Sequence, residues 1–296
     1  MIKNKANKFI ESLIVNIVLV FVTLTCIIPF AVVLSASLSE ELTLAQRGYS
    51  IIPRGFTLDA YKVVFKNAAQ ILSAYGVTIV TTAIGATLGV LIAALSGYPL
   101  SRTDYKWRKY FSFYFYFTMI FSGGAISSYI WITQGLNLRN NPLVLILPSL
   151  VSAWNIFMMR TYMSKIPKEL IEAATIDGAG EYKIFFKIIL PMNVVGLATM
   201  FIMTALTYWN QWYPCLMYLS DDKYVTLQYY LIRVMSNIDF LSRQENAVAT
   251  SVDISKMPSE TARMAICVVS AGPMIFVFSF FQKYFTGGIA LGSVKG

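Results

Sequence analysis

The sequence predicts an all-α integral membrane protein with six transmembrane helices, and three observations carry that expectation. Hydrophobic residues make up 56% of the 296 residues, charged residues only 13%, and the mean hydropathy is +0.60. Soluble domains carry about 25% charged residues, so this chain cannot cover itself with a surface suited to water. Six windows, 12–39, 67–101, 110–138, 140–159, 188–220 and 264–282, contain no Asp, Glu, Lys or Arg. Each reaches 19 residues or more, and a helix crosses a bilayer core in about 20. The window 67–101 is too short for two spans and a loop, because two helices alone need about 40 residues. The same composition excludes a disordered chain, a collagen-like chain and a disulfide scaffold. Cys26, Cys215 and Cys267 are far apart and the chain has no His. No zinc spacing or metal site exists, and the cysteines read as small buried hydrophobes.

The spans follow in order. The first, near 13–34, comes after Lys3, Lys5 and Lys8 and carries Pro29 late. Its 22-residue apolar run exceeds the roughly 7–15 residues of a signal-peptide core, so it reads as a retained helix. A loop from 39 to about 69 follows, with Gly48, Pro53 and Gly55, then a short amphipathic stretch at 58–65. The second span, near 71–95, is rich in Gly, Ala and Thr. Gly85 and Gly89 lie four apart, as do Thr82 and Ala86, the spacing that lets membrane helices approach closely; packing within the chain is the expected use. The third, near 110–131, opens on seven aromatics between Tyr110 and Phe117, an interfacial belt. The fourth, near 143–159, is interrupted by Pro148 and carries Asn155; intramembrane polar residues face the bundle or a pathway. The fifth, near 194–213, ends in Tyr208-Trp209-Asn210-Gln211-Trp212, and the sixth, near 265–281, contains Gly272-Pro273.

Basic residues orient the spans. Segments 1–11, 102–109, 160–187 and 283–296 hold fourteen Lys and Arg, mostly near helix ends; the alternate segments hold ten, in longer loops. The positive-inside rule makes the first set, and both termini, cytoplasmic. It also accounts for most of the net charge of +9. No basic run interleaved with aromatics occurs in a soluble segment, so no nucleic-acid partner is expected.

Two stretches outside the spans are too long to be connectors, which run to about 2–8 residues in bundles. One is the outer loop 214–262. The other is the inner segment 164–191. There Pro167 suits the first position of a helix and Glu169 its first turn. Leu170, Ala173, Ala174 and Asp177 share a face. Gly178 suits a left-handed stop, and a second short helix starts after Gly180, with Pro191 at its junction with the span. Ala173 and Ala174, both small, with Glu172 and Asp177 beside them, form a knob that fits a groove in a partner protein; a segment that lies at the lipid interface is the alternative.

Glu172-Ala173-Ala174, three residues, Gly178, nine residues and then Ile188-Ile189-Leu190-Pro191 reads E-A-A-x3-G-x9-I-x-L-P. This resembles the signature of the membrane subunits of ABC importers, at every position. Ile166-Pro167-Lys168-Glu169-Leu170, Ile176-Asp177-Gly178-Ala179, Ser96-Gly97-Tyr98, Leu100-Ser101-Arg102 and Trp209-Asn210 with Pro214 resemble the carbohydrate branch, the MalG-like permeases, and within it the LplC/YtcP-like group that imports complex oligosaccharides. The tail from Gly287 to Gly296 is similar too. Gln211-Trp212-Tyr213 departs from the branch, where many members carry an acidic residue and a Phe-Leu pair.

The resemblance implies a type I ABC importer permease fold in a bacterial cytoplasmic membrane. It implies a second homologous permease subunit, two ATPase subunits that hold ATP and magnesium, and an extracytoplasmic sugar-binding protein as partners, besides membrane lipid. Glu172, Ala173, Ala174, Asp177 and Gly178 would couple to the ATPase. Sugar sites combine aromatic faces with polar groups, which makes Asn155, Tyr208, Trp209, Asn210, Gln211 and Trp212 candidates for the substrate path; the same aromatics equally suit an outer interfacial belt. The chain itself has no G-x-x-x-x-G-K-[ST] phosphate loop and no segment to house an ATPase. It reads as a subunit with no catalytic residue, cofactor or metal of its own. A secondary transporter is the rival reading, but it needs an ionisable residue within a span, and all six windows lack one. An ABC permease for a non-sugar solute is the other alternative.

Overall fold

Without water to bond to, a chain in lipid must satisfy its backbone internally, and only helices and closed barrels do so. A computed structural model of this chain describes the backbone of residues 2–244 and 259–292 and the side chains of 12–240 and 259–282. Residues 245–258 of the expected outer loop, the last residues of the tail and the side chains of Lys3, Lys5 and Lys8 lie outside the described residues. Among the described residues every regular element is a helix, with one isolated antiparallel bridge between Ser39 and Phe56.

The order is α1 (Ile2–Ser37), α2 (Glu41–Arg47), α3 (Asp59–Val64), α4 (Ala68–Ser101), α5 (Arg108–Ile120), α6 (Gly124–Ile130), α7 (Ala153–Met163), α8 (Lys168–Ile176), α9 (Glu181–Ile184), α10 (Leu190–Met192), α11 (Val194–Trp209), α12 (Tyr213–Tyr218), α13 (Leu227–Gln244) and α14 (Glu260–Gly292). Three stretches are long and apolar enough to cross a bilayer alone: Ser12–Ser37, Ala68–Ser101 and Glu260–Gln282. Three more candidates are bent pairs, giving up to six spans. The third expected span is not continuous. It breaks between α5 and α6 with a 110° bend, where Gly124 takes φ 80. The fourth bends 49° between 3-10 turns at Pro142–Ser149 and α7, at the proline-bearing stretch that holds Pro148. The run α9–α10, joined by a π-helical turn at Phe185–Ile189, meets α11 at 80°. Cys215 is buried as expected, but Cys26 and Cys267 are exposed on this chain, on helices whose apolar surface faces outward.

Two compact units make up the chain. One comprises Met1–Ala68 and Leu231–Gly272. In it, large apolar side chains from Leu13 to Phe30 are exposed all round α1, the surface of a helix that meets lipid or another subunit. Glu41, in the first turn of α2, accepts hydrogen bonds from the Glu260 N–H (2.9 Å), the Thr261 N–H (2.9 Å) and hydroxyl (2.7 Å) and the Ser259 hydroxyl (3.2 Å). A carboxylate thus caps the otherwise unsatisfied N–H groups at the start of α14. Burial pushes Glu41 up, but the bonds from Thr261, Glu260 and Ser259 outweigh it and hold the carboxyl below its ordinary value.

The other unit comprises Ala69–Tyr230 and Pro273–Gly296, and α4 is its spine. The small residues of α4 serve packing within the chain. A Cβ on Gly85 would lie 2.4 Å from the Tyr208 ring of α11, and one on Gly97 2.9 Å from the backbone of α7 at Arg160. Asn155 of α7 donates to the Thr204 hydroxyl of α11 at 3.2 Å. One buried cluster, with Val90, Tyr98, Ile156, Met159, Phe185 and Met200, joins these helices; a second gathers Ile132, Leu138, Val144, Leu145, Cys215 and Tyr218.

Gly85→Ala is expected to destabilise the detergent-solubilised permease by about 1–3 kcal/mol through overpacking, and Tyr208→Leu in the same chain is expected to relieve most of that loss. Additive losses in the double variant would contradict the contact. Glu41→Gln is expected to lower thermal stability by about 1 kcal/mol near neutral pH, the loss of a half-buried charged acceptor. A carboxyl whose folded value is depressed stabilises above its ordinary pKa and loses that contribution as pH falls through the folded value. The melting curves of wild type and variant should therefore converge below the ordinary carboxylate range; a gap independent of pH would contradict this.

Candidate functional site: the segment after α7

Pro167 sits just before α8 rather than in its first turn, with φ −57 and ψ 133. Glu169 occupies the first turn, where the helix dipole favours a carboxylate. At the other end Asp177 closes the helix and Gly178 follows with φ 75, in the left-handed region that a side chain resists by about 1–2 kcal/mol. The Gly178 N–H donates to the Thr175 carbonyl at 3.0 Å and the Ala179 N–H to the Ala174 carbonyl at 2.9 Å, the paired bonds of a Schellman motif. The chain turns sharply here and enters α9 two residues later.

Adjacent helical residues point about 100° apart, so the two alanines part company. Ala174 is buried with Met159, Met163, Ile184 and Phe185, and Ile171 and Ala179 pack against that cluster. Glu172, Ala173 and Asp177 are exposed. The expectation that both alanines meet a partner is therefore corrected: Ala173 faces out, and Ala174 seats α8 on its own chain. Beside Ala173 stand Ile176, 87% exposed, and, past the corner, Tyr182, 81% exposed. They are the most exposed large hydrophobic side chains among the described residues.

At the start of α9 lies a polar knot that no sequence spacing announces. Arg102, just past α4, donates through Nη1 to Glu181 Oε1 (2.9 Å) and Oε2 (3.1 Å) and to the Tyr98 hydroxyl (3.1 Å). Its Nε bonds Asp104 Oδ1 at 3.0 Å and its Nη2 bonds Oδ2. Tyr98 in turn donates to Glu181 Oε2 at 2.9 Å. The Arg102 bonds hold Asp104 below the ordinary carboxylate range, and the carboxylates raise Arg102. Arg102 at a helix end was visible in the sequence, but its partner, 79 positions away, was not.

The candidates for the substrate path separate. Tyr208 is buried, its hydroxyl donating to the Ile146 carbonyl at 2.9 Å, and Trp209 is buried with Tyr75 6.5 Å away. Neither presents a ring face to a solute; both are corrected to packing roles, because the close approach at Gly85 draws the end of α11 into the core. Asn155 is half-buried and tied to Thr204. Gln211 donates to the Leu145 carbonyl at 2.8 Å. Asn210 is exposed and accepts from Gln228 at 3.2 Å, and Trp212 is 40% exposed. Nearby, Asn140, at φ 56, accepts from the Ser220 and Asp221 N–H groups, and Tyr129 stacks on Tyr218 at 5.7 Å. The Asn140-Asn141-Pro142 run carried the turn signal for this corner.

The described residues thus offer up to six membrane-length spans and a capped helical corner with an exposed apolar tip, the build of an integral membrane subunit. Residues 85–290 match the family described as the binding-protein-dependent transport system inner membrane component, and the chain belongs to that family. It is 33% identical over 290 residues to the polygalacturonan/rhamnogalacturonan transport system permease protein YtcP of Bacillus subtilis (strain 168), covering 98% of this chain and 99% of that protein. It is 33% identical over 270 residues to the protein LplC of the same organism, covering 91% and 90%. It also resembles a chain in the crystal structure of a bacterial ABC transporter involved in the import of the acidic polysaccharide alginate, with a TM-score of 0.75 and 26% identity over 93% of this chain and 96% of that one. The protein is thus a multi-pass inner-membrane permease component of a binding-protein-dependent ABC importer, with the all-helical fold of such subunits.

Ala174→Leu is expected to destabilise the isolated permease by about 1–3 kcal/mol, whereas Ala173→Leu stays within about 0.5 kcal/mol of wild type. Thermal unfolding in detergent checks this; equal losses would contradict the two faces of α8.

Proposed function

We propose that this permease carries a sugar, an oligosaccharide, across the membrane after an external binding protein delivers it. In this reading α8 is the coupling helix through which ATPase motion reaches the spans. Both termini and α8 face the cytoplasm, and the loop 214–262 faces outside, where it meets the binding protein. The assembly has a second homologous permease and two ATPase subunits, and ATP and magnesium are bound on those subunits. Glu172, Ala173, Asp177 and Gly178 form or shape the contact, Ala174 anchors it, and Asn210, Gln211 and Trp212 are the candidates nearest a solute.

The carrying observation is the exposure of Ile176 and Tyr182 beside Ala173. A bilayer-facing role fits poorly with the charges around them: Glu169, Glu172, Asp177 and Lys183 are all exposed on the same short segment. Apolar tips set among charges are the composition of a protein contact, with a buried anchor and a polar rim. The polysaccharides for which the similar transporters are named, polygalacturonan, rhamnogalacturonan and alginate, support a carbohydrate as cargo.

Ile176→Arg, placed in the complete transporter, is expected to reduce retention of the ATPase subunits in detergent at least ten-fold, about 1.4 kcal/mol or more of contact, with permease insertion unchanged. Full retention together with wild-type ATP-driven uptake would contradict the coupling assignment.

A further inference from the structure

The chain leaving α9 is a poor push-rod toward α11. It passes through a π-helical turn at Phe185–Ile189, through Pro191, and then through the 80° bend into α11. Each is a place where a helix deforms. A displacement of α9 therefore has no stiff covalent route into the span that follows it. A second route exists. Glu181, the first residue of α9, is hydrogen-bonded to both Tyr98 and Arg102 at the far end of the 34-residue α4.

We propose that Arg102, with Tyr98 and Glu181, is the tie that makes α9 and the end of α4 move as one body, so that α4 receives the displacement of the coupling segment. This rests on the reading of α8 as the ATPase contact. Three observations carry it. The Arg102 side chain is only 19% exposed, although Asp104 and Glu181 are 64% and 61% exposed. It is thus a shielded hub rather than a solvated surface pair, and its planar fork engages Asp104 through two nitrogens while Nη1 holds Glu181. The Tyr98 ring also packs against Phe185, with centroids 5.5 Å apart, which adds an apolar contact between the same two elements.

Pro99 supplies the third observation. It lies inside α4 and removes the N–H that would bond one turn back, a soft point in the helix. Glu181 holds the chain on both sides of it, at Tyr98 within α4 and at Arg102 just past its end, and so braces the point where α4 would otherwise flex. From there α4 leads away from the knot. It holds Tyr208 at Gly85, and the Thr78 hydroxyl accepts the Leu227 N–H at 2.8 Å. Tyr98 and Thr78 are 20 residues apart along this helix, about 30 Å at 1.5 Å per residue. One helix thus connects the knot with the start of α13. Contiguity alone does not establish coupling, so the test reads displacement.

In the complete transporter, spin labels placed on cysteines at Leu95 of α4 and Lys183 of α9 report the separation of the two elements without and with ATP plus vanadate. In the wild-type background the distance distribution is expected to be narrow and the same in both states. Arg102→Gln is expected to broaden it and to make it shift between the states, while ATPase retention, read on the same samples, stays at the wild-type level. Tyr98→Phe, which removes one hydroxyl, is expected to give a smaller change of the same kind and carries the test if Arg102→Gln does not fold. A distance that changes between states in the wild-type background, or one that stays narrow and fixed in both variants, overturns the tie. Loss of the ATPase from Arg102→Gln also overturns it, by placing Arg102 in the docking contact. Full retention together with wild-type uptake in Ile176→Arg would instead remove the coupling reading, and the two distance distributions would still decide whether Arg102 joins α9 to α4.

Discussion

At Gly85, Gly89 and Gly97 the backbone of α4 lies bare, and other helices come within van der Waals reach of it. Lipid tails are as apolar as Leu, so no hydrophobic force drives one span against another; close packing and interhelical hydrogen bonds do it instead. The seat of Tyr208 on Gly85, the approach of α7 to Gly97 and the Asn155–Thr204 bond all follow from that constraint. So does the loss of Tyr208 and Trp209 from the substrate path. Rings that fill the space beside α4 cannot also offer a face to a sugar.

The same constraint separates the two kinds of exposed apolar surface. Along α1 the exposed side chains run uninterrupted from Leu13 through Ile28 and carry no charge, which suits lipid or a neighbouring span. At α8 and α9 the exposed Ile176 and Tyr182 are flanked by Glu172, Asp177 and Lys183. An apolar tip within a charged rim is poorly matched to hydrocarbon and well matched to a protein surface. The left-handed Gly178 holds that tip at a fixed angle, and Ala174 roots it in the core beneath.

Much of this was legible beforehand. Charge-free windows locate membrane-length helices because a buried charge in lipid is costly, and the Gly178 stop was readable because left-handed backbone selects glycine. The match to the importer signature pointed to the family that residues 85–290 confirm. Three features were not legible. The 110° break between α5 and α6 follows Gly123-Gly124, which a purely compositional window treats as apolar filler. The α13 helix lies within the expected outer loop and leaves little trace in the sequence, since its apolar face is diluted by polar residues over 18 positions. The Arg102–Glu181 pairing joins residues 79 apart, and a single sequence carries no record of which distant charges meet. The direction of each alanine also needed coordinates, because periodicity gives the spacing of a face and not which side of it the core occupies.

The assignment of α8 as the coupling helix is tested most directly by its neighbour in the working assembly. A photo-crosslinking amino acid at position 176, with a control at position 223 in the outer segment, would be activated in intact cells expressing the complete transporter. A cross-link from 176 to an ATPase subunit, with none from 223, is the expected result. A cross-link from 176 to lipid or to the external binding protein, or one from 223 to the ATPase, would contradict it.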